Sequence, residues 1–272
     1  MDIGIDFGIS NIDVAIKIKG EIRFYTFISS DENISDKFHN VINKLDIVVS
    51  EIKNIAVTGG KSSDLPDVFR STSITKVNEV MAIGQGAKDI YSIQDNAFVV
   101  VSAGTGTACI NYQANNFHHL GGISVGGGSL QGLAKLLINT SDAHEINKKA
   151  IKGNRSNVDF LIGDVVNNIG GLDGDITASN FVKARDDKNY NTNDIAAALT
   201  NMTGEVIGTV AYLNALLVGV SKVYFVGRIP LLKSVRDAID QRLELAGVSS
   251  KYNPNMEYAN AIGALAYLQG KI

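Results

Sequence analysis

One figure occurs twice in this chain: an apolar strand, a glycine turn carrying a small polar or acidic residue, then a second strand. The first copy is Ile3-Gly4-Ile5-Asp6-Phe7-Gly8-Ile9-Ser10, continuing into Val14-Ala15-Ile16. The second is Phe98-Val99-Val100-Val101-Ser102-Ala103-Gly104-Thr105-Gly106-Thr107, continuing into Ala108-Cys109-Ile110. A long-range repeat of this kind constrains the chain to two related half-domains facing each other across a cleft. Two glycine hairpins aimed at one cleft form a phosphate clamp, because glycine lets backbone N–H groups approach an anion closely.

With 272 residues, 45% of them hydrophobic, the chain can bury the core of one large domain or of two lobes. Its net charge of −3 argues against a nucleic-acid partner, which normally meets a basic face. Cys109 is the only cysteine, so no internal disulfide or cysteine zinc site is available, and its apolar strand marks it as packing. The first residues read as a strand and lack the basic and apolar regions of a signal peptide. The longest uncharged apolar run, Val206–Val220, falls short of the roughly 18 residues of a membrane helix and reads as a buried helix. The expectation is a cytoplasmic protein with a small-molecule partner, no nucleic acid and no membrane.

Patterning places strands at Ile3–Phe7, Asp13–Lys19 and Ile22–Phe27, with turns at Gly8–Asn11 and Gly20. Phe38–Val49 has helical spacing, Ile55–Thr58 is a buried strand ending at Gly59-Gly60, and Val80–Ile93 is a helix entered from extended Ser73–Val77. The second half repeats strand, turn, strand over Ala97–Tyr112, with a third strand near Phe117–Leu120. Gly121-Gly122-Ile123-Ser124-Val125-Gly126-Gly127-Gly128 then opens a helix at Ser129–Ile138, where free N–H groups and the positive dipole end favour an anion. Asp142–Ala150 is a short helix and Gly153–Asn191 a polar excursion. Asn193–Val218 is a long apolar helix capped by Asn193, Lys222–Val226 a strand ending at Gly227, and Leu231–Ala246 and Asn260–Leu268 are helices. Strands followed by helices, twice over, give an α/β protein of two lobes.

Gly60-Lys61-Ser62 imitates the end of a P-loop, but Ile55 stands where the motif needs its first glycine, so it reads as a loop. His39, His118, His119 and His144 lack metal-site spacing. Asp6 is different. It ends a central strand, where Asp is disfavoured and an unpaired buried carboxylate costs several kcal/mol. Either it forms the turn, or it orients Mg²⁺ beside the phosphate clamp. Glu79 begins an apolar helical run, and serves either as a first-turn acid favoured by the dipole or as a carboxylate placed to accept a hydroxyl proton.

With these residues laid out, the chain resembles the type II pantothenate kinases of the actin/sugar-kinase/Hsp70 superfamily along nearly its whole length. The resemblance is carried by Ala103–Thr107, by Gly121–Gly128 running into Gln131-Gly132-Leu133, and by Gly174-Asp175-Ile176-Thr177-Ala178-Ser179-Asn180-Phe181. Val77-Asn78-Glu79 with Gln85-Gly86, and Ala261-Ile262-Gly263-Ala264-Leu265, fall in order around them. It implies a two-lobed actin-like (ribonuclease H-like) ATPase fold with duplicated βββαβα half-domains. Residues 1–95 would form the lobe with the first phosphate turn and the base. Residues 96–272 would form the lobe with the second hairpin, the nucleotide site and the dimer helices. It also implies ATP-dependent phosphorylation of the primary hydroxyl of pantothenate, the first committed step towards coenzyme A. By the same resemblance Glu79 is the catalytic base and Asp6 organises Mg²⁺. Gly8, Ser10, Gly104, Thr105, Gly106, Thr107, Gly126, Gly127, Gly128 and Gly227 hold the nucleotide, and Ser102 and His119 lie near the acceptor. A homodimer joined through long helices is expected, with Asn193–Val218 as the counterpart.

Three positions depart from the family pattern. The first phosphate turn usually reads Asp-x-Gly-Gly-Thr with a lysine shortly after, whereas here Ile9 replaces the second glycine and Asp13 stands in place of the lysine. Ile9 does not easily take the positive φ open to glycine. Asp13 would oppose nucleotide binding if it faced the phosphates and would be harmless facing solvent. His119 replaces an arginine near the acceptor, and histidine cannot make the bidentate carboxylate clamp.

Overall fold

A computed structural model describes residues 1–166, 173–186 and 189–270 of the chain. The first half opens with an antiparallel meander: β1 (Asp2–Phe7), β2 (Asn11–Ile18) and β3 (Glu21–Ile28). Lys19 and Gly20 turn β2 into β3 with φ of 48° and 94°, the left-handed pair that a tight hairpin needs. Helix α1 (Ile34–Lys44) begins four residues before the expected start at Phe38, capped by Asn33, whose Oδ1 accepts the Asp36 N–H at 3.0 Å. Then follow β4 (Asn54–Thr58), the two-residue β5 (Val68–Phe69), β6 (Thr72–Lys76) and helix α2 (Glu79–Tyr91). The sheet order is β3-β2-β1-β4-β6-β5, with β1, β4 and β6 parallel. Its α1 face buries Ile3, Ile5, Phe7, Ile12, Val14 and Ile16 against Phe38, Val41 and Ile42.

The second half repeats the plan. A meander of β7 (Phe98–Ala103), β8 (Thr107–Gln113) and β9 (Asn116–Ile123) leads into α3 (Gly127–Ile138) and α4 (Ala143–Ala150). The expected polar excursion carries the small ribbon β10 (Phe160–Leu161) and β11 (Thr177–Ser179), and its residues 167–172 and 187–188 lie outside those described. Helix α5 (Thr192–Val218) starts at Asn191 rather than Asn193, because Asn191 Oδ1 accepts the Asn193 N–H while Asp194 returns a carboxylate to the Asn191 N–H. The chain closes with β12 (Lys222–Val226), α6 (Lys233–Leu245), β13 (Ser249–Lys251) and α7 (Ala259–Tyr267). The strand order β9-β8-β7-β12-β13 mirrors the first sheet, with a meander on one side and parallel strands on the other.

Alternation along β7 separates two cores. Val99, Val101 and Ala103 face α3, α5 and α6, whereas Phe98 and Val100 face Ile83 and Ala87 of α2. Helix α2 thus packs on the second sheet, while α7 places Ala261, Leu265 and Ala264 on Ala15 and Ala56 of the first. The division expected at residues 95 and 96 falls between α2 and β7, and the two helices exchange sides across it. They cross almost backbone to backbone. A Cβ at Gly86 would lie 1.8 Å from the Ala259 carbonyl oxygen, and one at Gly263 1.8 Å from that of Ala82. The crossing sets the ends of β1 and α2 side by side at the mouth of the cleft.

Candidate active site

Asp6 is the penultimate residue of β1, beside Thr58 of β4, and Gly59 folds directly over it with φ of 74°. A Cβ at Gly59 would sit 2.3 Å from Asp6 Oδ1, so only glycine admits the carboxyl there. Asn260, at the start of α7, donates from Nδ2 to Asp6 Oδ2 at 3.0 Å. Asp6 keeps part of its surface open to the cleft, yet lies deep enough that burial, helped by the negative charges of Asp13 and Glu79, pushes its pKa up to about 7. The Asn260 hydrogen bond and Arg228 work in the opposite direction.

The turn after Asp6 departs from expectation in a simple way. Ile9 is not among the residues with positive φ, and its side chain is 80% exposed, so the turn forms without a second glycine. Gly8 is the position that must be small, since a Cβ there would meet the Asn11 carbonyl oxygen at 2.7 Å. Ser10 Oγ lies 2.9 Å from Thr105 Oγ1, joining the two hairpin tips across the cleft.

In the second hairpin, Gly104 N–H donates to Gly106 O at 2.9 Å, and Thr107 Oγ1 donates to Val125 O at 2.8 Å. The glycines that open α3 hold this hairpin. Gly127 N–H donates to Gly104 O at 2.8 Å, Gly128 N–H to Thr105 O at 2.9 Å, and Gly126 N–H to Ser129 Oγ at 2.9 Å. The N–H groups expected to be free for phosphate at Gly126, Gly127 and Gly128 are therefore spent inside the protein. The helix start clamps the hairpin, whose close seat leaves no room for a Cβ at Gly126, 2.7 Å from Thr105 O. Gly227 supports the same hairpin from β12, with φ of 91° and a would-be Cβ 2.4 Å from Ala103 O.

Glu79 is the first residue of α2, exposed and placed by its neighbour Asn78, whose Oδ1 accepts the Val80 N–H at 2.9 Å. Ser102 is half-buried near the end of β7 on the face shared with Phe98 and Val100, the face towards α2. His119 pairs with Ile110 in the β8–β9 register, which puts it on that same face, and it is exposed. The structure thus brings the two hairpin tips into contact, sets Asp6 within the field of Glu79 and Asp13, and places Ser102 and His119 on the sheet face towards α2.

Asp13 resolves differently from either expectation. It faces inward, only 4% exposed, and is neutralised. Arg228, next after Gly227, donates from Nη1 to Asp13 Oδ2 at 2.7 Å and from Nη2 to Asp13 Oδ1 at 2.6 Å. Thr26 Oγ1 adds a third hydrogen bond at 2.8 Å, and Arg228 Nε pairs with Glu257 at 3.0 Å.

The family model described as Fumble matches residues 85–235. A type II pantothenate kinase of Bacillus anthracis is 30% identical, the match covering 99% of this chain and 98% of that relative. One from Bacillus thuringiensis subsp. konkukian is 31% identical over 83% of this chain and 82% of its own length. This chain belongs to the type II pantothenate kinase family. Among solved structures, the activator of the 2-hydroxyisocaproyl-CoA dehydratase from Clostridium difficile, with bound ADPNP, matches at TM-score 0.69 and 15% identity, covering 100% of this chain and 97% of that one. A ROK family glucokinase from Streptomyces griseus, in complex with glucose and AMPPNP, matches at TM-score 0.62 and 12% identity, with 98% of each chain covered. At such identities these two likenesses show the actin-like fold alone.

In this pantothenate kinase relative, sequence reasoning missed Gly59, Arg228, Glu257 and Asn260. Gly59 carried a signal, a glycine directly after a buried strand. Arg228 and Asn260 carried none, since their partners lie 215 and 254 residues away.

Proposed function

We propose that this chain transfers the γ-phosphoryl group of ATP to the primary hydroxyl of pantothenate, opening coenzyme A biosynthesis. The observation that carries the reading is the convergence of Asp6 and Glu79 at the cleft mouth, between two hairpin tips bridged by Ser10 and Thr105. The phosphates lie against Gly8, Ser10 and Gly104, Thr105, Gly106 and Thr107, with Gly126, Gly127, Gly128 and Gly227 fixing the second hairpin from behind. Glu79 accepts the acceptor's hydroxyl proton as that oxygen bonds to the γ-phosphorus and the bond to the ADP oxygen breaks. Little covalent work falls to the protein in such a loose transition state, so positioning and charge stabilisation dominate.

Mg²⁺ fits the residues present. Asp6 is destabilised as a carboxylate by burial and by two neighbouring acids, and a divalent cation would offset that. Among the described residues no cluster of three metal-ligating side chains exists. Mg²⁺ of this kind keeps several waters and takes one or two carboxylates plus substrate phosphates. When bound, the ion supplies charge neutralisation on the phosphate oxygens. Ser102 and His119 flank the acceptor. His119 reaches less far than an arginine would, so it contacts the pantothenate carboxylate singly at most. The working form is a cytoplasmic homodimer joined through α5.

A coupled ADP-release assay with Mg²⁺-ATP tests this, comparing pantothenate, N-acetylglucosamine and no acceptor. Turnover dependent on pantothenate alone is the expected result. Turnover with the amino sugar and none with pantothenate would assign another acceptor, and ATP binding without any turnover would reduce the chain to a nucleotide sensor.

A further inference from the structure

The two hairpins belong to different sheets, and something must fix their separation. Each lies close to one partner of the Asp13–Arg228 ion pair. Asp13 is on β2, the strand that leaves the first hairpin. Arg228 directly follows Gly227, whose backbone presses on Ala103 and Gly104 at the start of the second hairpin. The Arg228 side chain crosses from the second lobe into a notch of the first. There Asp13 on β2 and Thr26 on β3 take its Nη1 and Nη2 groups at 2.6–2.8 Å, while Glu257, in the second lobe's turn just before α7, pairs with its Nε at 3.0 Å. The notch has a firm wall, since Tyr258 stacks on Phe24 with ring centroids 4.6 Å apart. Phe24 and Thr26 lie on the same face of β3, so the stack and the ion pair brace one surface.

We infer that Asp13, Arg228 and Glu257 form a latch between the lobes that sets the spacing of the two phosphate hairpins, with Arg228 as a positioning residue for nucleotide binding. Three features support it. Asp13 and Thr26 belong to the first lobe and the guanidinium to the second, while Glu257 holds the guanidinium from its own side, where Gly227 N–H donates to Met256 O at 2.9 Å, so the contact with Asp13 exists only when the lobes are closed to this distance. The geometry is bidentate and nearly dry on the Asp13 side, which makes it directional as well as attractive. The Ser10–Thr105 contact sits at the same mouth, so the latch and the hairpin tips move as one. Loss of the guanidinium leaves Asp13 buried and unpaired, and the lobes part to let water reach it.

The inference takes the cleft to be the ATP site, so the test reads ATP binding without any acceptor and, separately, lobe separation. Arg228→Gln, Asp13→Asn and the double variant are compared with wild type by titration calorimetry with Mg²⁺-ATP and by X-ray scattering of the nucleotide-free chain. Circular dichroism first establishes that each is folded, and the double variant, which leaves no buried unpaired charge at position 13, guards against misfolding of the singles. The expected result is about a tenfold or larger loss of ATP affinity in each single variant, a double variant no worse than the poorer single, and a larger radius of gyration. Arg228→Lys, which keeps the charge and loses the fork, should recover stability more fully than ATP affinity. Folded variants with wild-type ATP affinity and unchanged scattering would overturn the latch. Absence of ATP binding by the wild type would overturn the nucleotide reading instead, with scattering still deciding the latch.

Discussion

Asp6 is a carboxylate near the end of a buried strand, pressed under Gly59 and facing the charges of Asp13 and Glu79. Evolution of a stable fold alone would replace it. Its folded-state pKa of about 7, above the ordinary 3.8, means that the folded chain holds the proton to higher pH than the unfolded chain does. The stabilisation of the protonated form is complete below about pH 4 and is lost as pH rises through about 7. Asp6→Asn therefore raises the thermal unfolding midpoint of the nucleotide-free protein at pH 8, and the gain shrinks towards pH 4. The same variant loses phosphoryl transfer by about a hundredfold or more, since Asn offers a cation no charge. A midpoint difference independent of pH would contradict this account of Asp6. Asp6 stood out in the sequence because a carboxylate is out of place near the end of an apolar strand, whereas Glu79 is ordinary in the first turn of a helix. Asp13 was legible only as a problem. Its solution, Arg228, is a tertiary event with no local sequence signature.

At the scale of elements, the crossing of α2 and α7 positions the proposed base. Gly86 and Gly263 let the helix backbones touch, and the close approach holds Glu79, at the first turn of α2, beside the end of β1. Gly263→Ala would place a Cβ 1.8 Å from Ala82 O and 2.8 Å from Gly86 N, all of it backbone. We expect a stability loss of about 2–3 kcal/mol in denaturant unfolding, from overpacking. Turnover falls as well, because α2 must shift. Gly132→Ala on α3, where a Cβ meets nothing within 4 Å, is the control and should be neutral or slightly stabilising. The repeat, the meanders and the main helices were readable from apolar spacing. The two- and three-residue strands β5 and β13 were not, being shorter than any period can show. The start of α3 was misread for a different reason. A glycine run does open the helix, but tertiary packing gives its N–H groups to the Gly104 and Thr105 carbonyls rather than to a ligand.

For the whole molecule, two sheets of the same plan are joined by the crossing of α2 and α7, and part of the second lobe's surface is apolar. Leu213, Leu216 and Leu217 at the end of α5 are 52%, 57% and 75% exposed, and Leu136 on α3 is 82% exposed. Open leucines concentrated on adjoining helices match a surface that another protein covers. Sedimentation equilibrium should return twice the chain mass for the wild type. Leu213→Lys with Leu217→Lys, one turn apart on the same face, should return a folded monomer. A monomeric wild type would contradict the dimer reading. No helix among the described residues is long and apolar enough to cross a membrane. The central claim concerns Glu79, and the most direct measurement is pantothenate-dependent ADP release by Glu79→Gln beside wild type, with ATP binding measured on the same samples. The account predicts unchanged ATP affinity and turnover lower by about 10²–10⁴. Turnover near wild type would remove Glu79 from the chemistry.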